Sequence, residues 1–99
     1  MKNKYERRLA KEVKRLGKKN YMEIEDIMLK NNIAGNVSSV TCPVAQYLTA
    51  RVGEQVLAGR TVANVKGSGV EVQFSDNVRN FINLFDNYLA DPRLYVDNR

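Results

Sequence analysis

The residues with the clearest chemical meaning are nine cations gathered in the first nineteen positions: Lys2, Lys4, Arg7, Arg8, Lys11, Lys14, Arg15, Lys18 and Lys19, against Glu6 and Glu12. Cations spaced along one segment neutralise a line of phosphates and release counterions, which is the pattern of a polyanion contact. The rest of the chain does not share it. Positions 1–19 carry seven net positive charges and positions 20–99 two net negative ones, within an overall +5. Attraction to nucleic acid, or to an acidic protein partner, therefore belongs to one end of the molecule. A solvated helix face is the plainer explanation of such a run. Yet like charges at i,i+4, as in Arg7 with Lys11 and Lys11 with Arg15, cost about a few tenths of a kcal/mol per pair, which solubility alone does not require. A membrane surface fits less well, because the segment has neither Trp nor Phe on its apolar side.

Catalytic chemistry is poorly provided for. Histidine, the usual proton carrier near neutral pH and a frequent metal ligand, is absent. The single cysteine, Cys42, stands where a helix would begin, a place that can lower a thiol pKa, but with no histidine as base it reads as a small buried hydrophobe. Glu23, Glu25 and Asp26 suit a helix first turn, and Gly67 and Gly69 suit a hairpin turn, since no helix follows them and the glycine-to-lysine spacing of a phosphate loop is missing. No ligand spacing implies a metal and no motif implies a cofactor, so the expectation is a protein that is not an enzyme.

The elements that must carry these residues follow from hydrophobic period and caps. Asn3 with Glu6 has capping-box spacing, and Tyr5, Leu9, Val13 and Leu16 share one arc of a helix over 4–16, with the cations on the opposite arc and Glu6 and Glu12 at its borders. Gly17 stands where a C-terminal cap would. Asn20 and Glu23 repeat the capping box before a second helix over 21–30, and 31–41 read as a connector held by Ile33, Val37 and Val40. Pro43, with Thr41 or Cys42 as cap, opens a third helix over 43–52. Segments 55–58, 61–66 and 70–74 make a hairpin or three short strands, with a bulge near Asn64 because Val62 and Val65 break the alternation. Ser75 or Asp76 caps a final helix striped by Val78, Phe81, Ile82, Phe85 and Leu89 and stopped by Asp91-Pro92. The class is α+β: three N-terminal helices, a β-hairpin or small antiparallel sheet, and a C-terminal amphipathic helix. One domain spans 1–99, with a basic helix (1–19), a body (20–90) and a tail (91–99) that is loose apart from Leu94 and Tyr95. With no internal disulfide, early apolar leader or membrane span, a cytoplasmic location is expected.

Cys42-Pro43-Val44-Ala45-Gln46-Tyr47-Leu48, the hairpin, and Val78-Arg79-Asn80-Phe81-Ile82-Asn83-Leu84-Phe85-Asp86 together resemble small uncharacterised proteins of actinobacteria and their phages, which carry a Cys-Pro-Ile/Val-Ala-x-Tyr-Leu helix and a closing Val-x-x-Phe-x-x-x-Phe-Asp helix. The resemblance covers about residues 41–95 and implies no established activity. It departs after Asp86, where those proteins have glycine and Tyr-Pro and this chain has Asn87-Tyr88-Leu89-Ala90-Asp91-Pro92. The basic helix lies outside it.

Two helices thus compete as the nucleic-acid contact. The first offers Lys4, Arg7, Arg8, Lys11, Lys14, Arg15, Lys18 and Lys19 to a backbone. The third matches the place of a reading helix in a winged helix-turn-helix, with Gln46, Thr49 and Arg51 toward bases and Arg60 and Lys66 on the wing, although it holds only one cation. The expected function is a small nucleic-acid-associated or regulatory protein. The alternative is an inhibitor or adaptor whose basic helix meets an acidic partner, and the Phe81, Phe85, Tyr88, Leu89 stripe leaves room for a second copy.

Overall fold

The computed structural model describes residues 4–96; Lys2 and the expected Asn3 cap lie outside the described residues. Helix α1 (Lys4–Leu16), α2 (Tyr21–Lys30) and α3 (Pro43–Val52) precede strands β1 (Val56–Ala58), β2 (Val62–Val65) and β3 (Val72–Gln73), and α4 (Asp76–Asp86) closes the succession, followed by a single 3-10 turn at Pro92–Leu94. The fold is α+β, as the hydrophobic pattern implies. Both bonds of the Asn20–Glu23 capping box form at 2.9 Å. Cys42 and Ser75 are the caps of α3 and α4.

The three strands form an antiparallel sheet in the order β1-β2-β3. The register pairs Val56, Leu57 and Ala58 with Val65, Asn64 and Ala63, and it is continuous. No bulge interrupts it at Asn64, because the buried face of β2 is Ala63 and Val65, with Val62 and Asn64 on the other side. The pattern misleads because alanine carries little hydrophobic weight, yet a small side chain is what lets α1 lie close over β2. Helix α1 also packs on α3 and β3, while α3 packs on β1, and α2 packs on α4 and the 3-10 turn. Leu9, Val13, Leu16, Ile24, Met28, Leu48, Phe81 and Phe85 fill the common core.

Three expectations need correction. First, α4 stops at Asp86 rather than running on toward Asp91-Pro92. Tyr88 takes a left-handed φ of 59°, its N–H donates to Phe85 O (3.0 Å) and the Leu89 N–H to Leu84 O (2.8 Å), a Schellman ending that places Leu89 outside the stripe at 71% exposure. The same device ends α2 at Asn32, with Ile33 N–H donating to Met28 O at 2.9 Å. Second, Leu94 and Tyr95 fold back as expected, but the tail around them is held too: the Asp91 N–H donates to Glu25 Oε2 at 2.9 Å and the Val96 N–H to Gly35 O at 3.2 Å. Leu94 is fully buried, the Tyr95 ring stacks on Phe85 at 4.5 Å, and the Tyr95 hydroxyl donates to Phe85 O at 2.9 Å.

Third, the connector is held by hydrogen bonds rather than by Val37 and Val40, which are both exposed. The Gly35 N–H donates to Leu94 O at 2.8 Å, Val96 N–H returns to Gly35 O at 3.2 Å, and Ala58 N–H reaches Ser39 O at 2.9 Å. A Cβ on Gly35 would stand 1.8 Å from Thr41 O, so only glycine permits this crossing.

Candidate nucleic-acid interface

At 100° per residue, Lys4, Arg7, Lys11, Lys14 and Lys18 fall within about 80° of the α1 wheel, and the ten steps from Lys4 to Lys14 span about 15 Å of axis. All five are exposed, and Lys18 prolongs the row in the turn after α1. Two shallow clefts run along it. One is bounded by Lys4, Arg7, Arg8 and Lys11, the other by Lys11, Lys14, Arg15 and Lys18, so every residue lining them is basic. Among the described residues no carboxylate lies within 4 Å of the Lys11, Lys14 or Lys18 ammonium. Lys19 is exposed but lines neither cleft.

The two remaining arginines of the helix serve the fold. Arg8 Nη1 donates to Val52 O at 3.1 Å, satisfying a carbonyl at the C-terminus of α3 where positive charge is favoured. Arg15 meets Glu12 at 3.4 Å, and Arg51 of α3 meets the other oxygen of the same carboxylate at 3.4 Å. Glu12, read from sequence as a border of the basic face, is instead sunk in the α1–α3 seam with its side chain 10% exposed. Its place on the wheel beside Tyr5 and Leu16 is the signal that could have shown this.

Helix α1 is anchored at both ends. Ser68, at the tip of the β2–β3 turn, hydrogen-bonds Glu6 through its hydroxyl, so the turn expected as a wing lies against α1. At the other end Ser75 Oγ and Asn77 Nδ2 donate to Gly17 O at 3.2 and 3.3 Å. Gly17 directly follows α1, as expected of a C-terminal cap, and its N–H donates to Val13 O at 2.9 Å without a left-handed φ. A Cβ there would stand 2.8 Å from Ser75 Oγ, and that close approach of α1 to the start of α4 is what needs glycine.

Helix α3 presents a different picture. Pro43, Val44, Ala45, Leu48 and Val52 are buried. Gln46 Nε2 donates to Ala34 O (2.6 Å) and Thr41 O (2.8 Å), and Thr49 Oγ1 accepts from the Val56 N–H at 2.9 Å. With Arg51 on Glu12, all three base-reading candidates make contacts within the protein. Of the wing candidates, Arg60 lies 3.6 Å from Asp86, and Lys66 is exposed at the end of β2. The structure therefore brings together the cations of α1 and does not gather the candidates of α3 and the hairpin.

A third cleft lies where α3 begins, between Ser38, Ser39, Cys42, Arg60 and Asp86. Cys42 is buried and its Sγ accepts from the Ala45 N–H at 3.3 Å. Burial pushes the thiol pKa up, backbone hydrogen bonds from Ala45 and Val44 oppose it, and the Asp86 charge raises it further, the reverse of an activated thiolate. Burial likewise raises the Asp86 carboxyl above its ordinary value, with Arg60 pulling it back. Among the described residues no three His, Cys, Asp or Glu side chains come together as a metal site, and no helix is long and apolar enough to cross a membrane.

Comparison of the chain with protein families, curated proteins and solved structures finds no match.

Proposed function

We propose that the protein is a small non-catalytic nucleic-acid-associated or regulatory protein, of the bacterial or phage type that its resemblance implies, which holds a phosphate backbone on the outer row of α1. The supporting observation is the pair of clefts lined wholly by cations on a helix fixed at both ends. The backbone of the row is already ordered, so its electrostatic attraction is not offset by lost backbone freedom to the extent it would be on a loose tail. Phosphates carry no sequence information in themselves, and α3 offers few uncommitted side chains to read bases, so the expected binding is largely independent of sequence.

The test is a titration of labelled duplex and single-stranded DNA at several salt concentrations, using the wild type and Lys11→Glu/Lys14→Glu/Lys18→Glu. This triple variant spares Arg8 and Arg15, whose replacement would disturb the α1–α3 seam. With four or five phosphate contacts the logarithmic salt slope is expected at about −3 to −4.5, and the variant should bind weakly with a flatter slope. No binding by the wild type at low salt overturns the proposal and favours an acidic protein partner for the same row.

A further inference from the structure

Beside the basic row, α1 and β3 enclose a groove of about 320 Å³ whose apolar floor is Val13, Val72 and Phe74 and whose rim is Ala10, Lys14 and Lys18. That volume lies at the small end of ligand pockets. No carboxylate lines the groove, and Lys14 and Lys18 belong to the groove and the basic row at once. Its occupant must therefore pair an apolar, ring-sized body with an anion immediately outside it.

The backbone of β3 adds a second element. The Phe74 N–H donates to Thr61 O at 2.9 Å, so Val62 and Gln73 form a non-hydrogen-bonded pair in the antiparallel ladder. In such a pair the backbone N–H and C=O of each residue point away from the partner strand. Since β3 is an edge strand, the N–H and C=O of Gln73 face outward along the groove wall, an adjacent donor and acceptor. One residue's pair of groups is too little for a peptide to extend the sheet, but it matches the hydrogen-bonding edge of a single base.

We infer that the polyanion held by α1 is a single strand, one of whose unpaired bases enters the α1–β3 groove while the flanking phosphates rest on Lys14 and Lys18. The inference rests on the polyanion reading of the row and narrows it. Bases in a duplex are stacked and paired and cannot enter a side groove, whereas those of a single strand are free to turn out of the backbone.

The experiment compares three labelled DNA probes of equal length at one low salt concentration: a single strand, the same strand with abasic positions, and the duplex. The wild type is measured with Ala10→Met, which keeps a helix former at an exposed position but fills the groove, and circular dichroism checks that the variant is folded. The single strand is expected to bind about tenfold more tightly than the abasic strand or the duplex. Ala10→Met should abolish that difference and leave a salt-dependent residue of binding. Equal affinity of the wild type for all three probes overturns the inference while leaving the row's reading intact, and no binding to any probe overturns both. Binding of polyglutamate that is tighter than that of the single strand and is lost in Ala10→Met overturns it in favour of an acidic peptide. If Ala10→Met fails to fold, the abasic comparison with the wild type still decides the matter.

Discussion

Helices α1 and α3 lie against one another, and each has polar side chains of the types that contact nucleic acid, but they spend them in opposite ways. On α3, Gln46, Thr49 and Arg51 satisfy the connector, the start of β1 and Glu12. On α1, Arg8 and Arg15 face α3 and are used there, while Lys11, Lys14 and Lys18 stand outward without an acidic neighbour among the described residues. For Arg8, Arg15 and these three lysines, though not for Arg7 in the outward row, the division follows side-chain chemistry. The planar, multiply donating guanidinium suits a fixed contact with a carbonyl or carboxylate, and the compact, strongly hydrated ammonium suits a solvent-facing contact with a mobile polyanion. What separates a binding helix from a scaffold helix here is how many of its cations remain uncommitted.

Breaking α3 should affect stability most. Leu48→Ala removes a fully buried side chain and is expected to cost about 2–5 kcal/mol, read from the denaturant midpoint, whereas Lys14→Ala should change it by less than about 0.5 kcal/mol. The seam between the two helices comes next. Glu12→Ala leaves Arg15 and Arg51 facing each other, and because both are about half exposed the expected loss is about 1–2 kcal/mol, smaller at high salt. Thr49→Val keeps the shape but deprives the buried Val56 N–H of its acceptor, for about 1 kcal/mol by the same midpoint assay.

The smallest expected effect is a pH dependence remote from both helices' contact. The Asp86 carboxyl takes up its proton more readily in the folded chain than in the unfolded one, because burial raises its pKa. The native state therefore gains stability from this group as pH falls through the range just above the usual carboxylate value, and loses it as pH rises back through that range. Asp86→Asn should flatten this part of the stability–pH curve measured by thermal unfolding.

Much of this was legible in residue order. The period of α1, the Asn20–Glu23 capping box and the Pro43 start of α3 are local signals, and the structure carries all three. The expectations that failed depend on partners distant in the chain. Glu12 looks like a border residue until Arg51 is brought to it from 39 positions away. Tyr88 takes a left-handed conformation that glycine or asparagine would announce, so the end of α4 is hidden, and its ring is instead set 5.1 Å from Tyr95. Gly17 and Gly35 are glycines for the sake of Ser75 and Thr41, contacts that composition does not reveal. In the candidate site the cations were visible as a face, but their division into structural arginines and an outward row was not, nor was the groove against β3.

The most direct measurement sets the two helices against each other: the salt dependence of single-stranded DNA binding for the wild type, Lys14→Ala on the α1 row, and Ala50→Glu on the exposed side of α3. If α1 is the contact, Lys14→Ala weakens binding and lowers the logarithmic salt slope by about 1, while Ala50→Glu leaves the slope as it is. A slope unmoved by Lys14→Ala, together with binding lost in Ala50→Glu, would contradict the assignment and return the contact to α3.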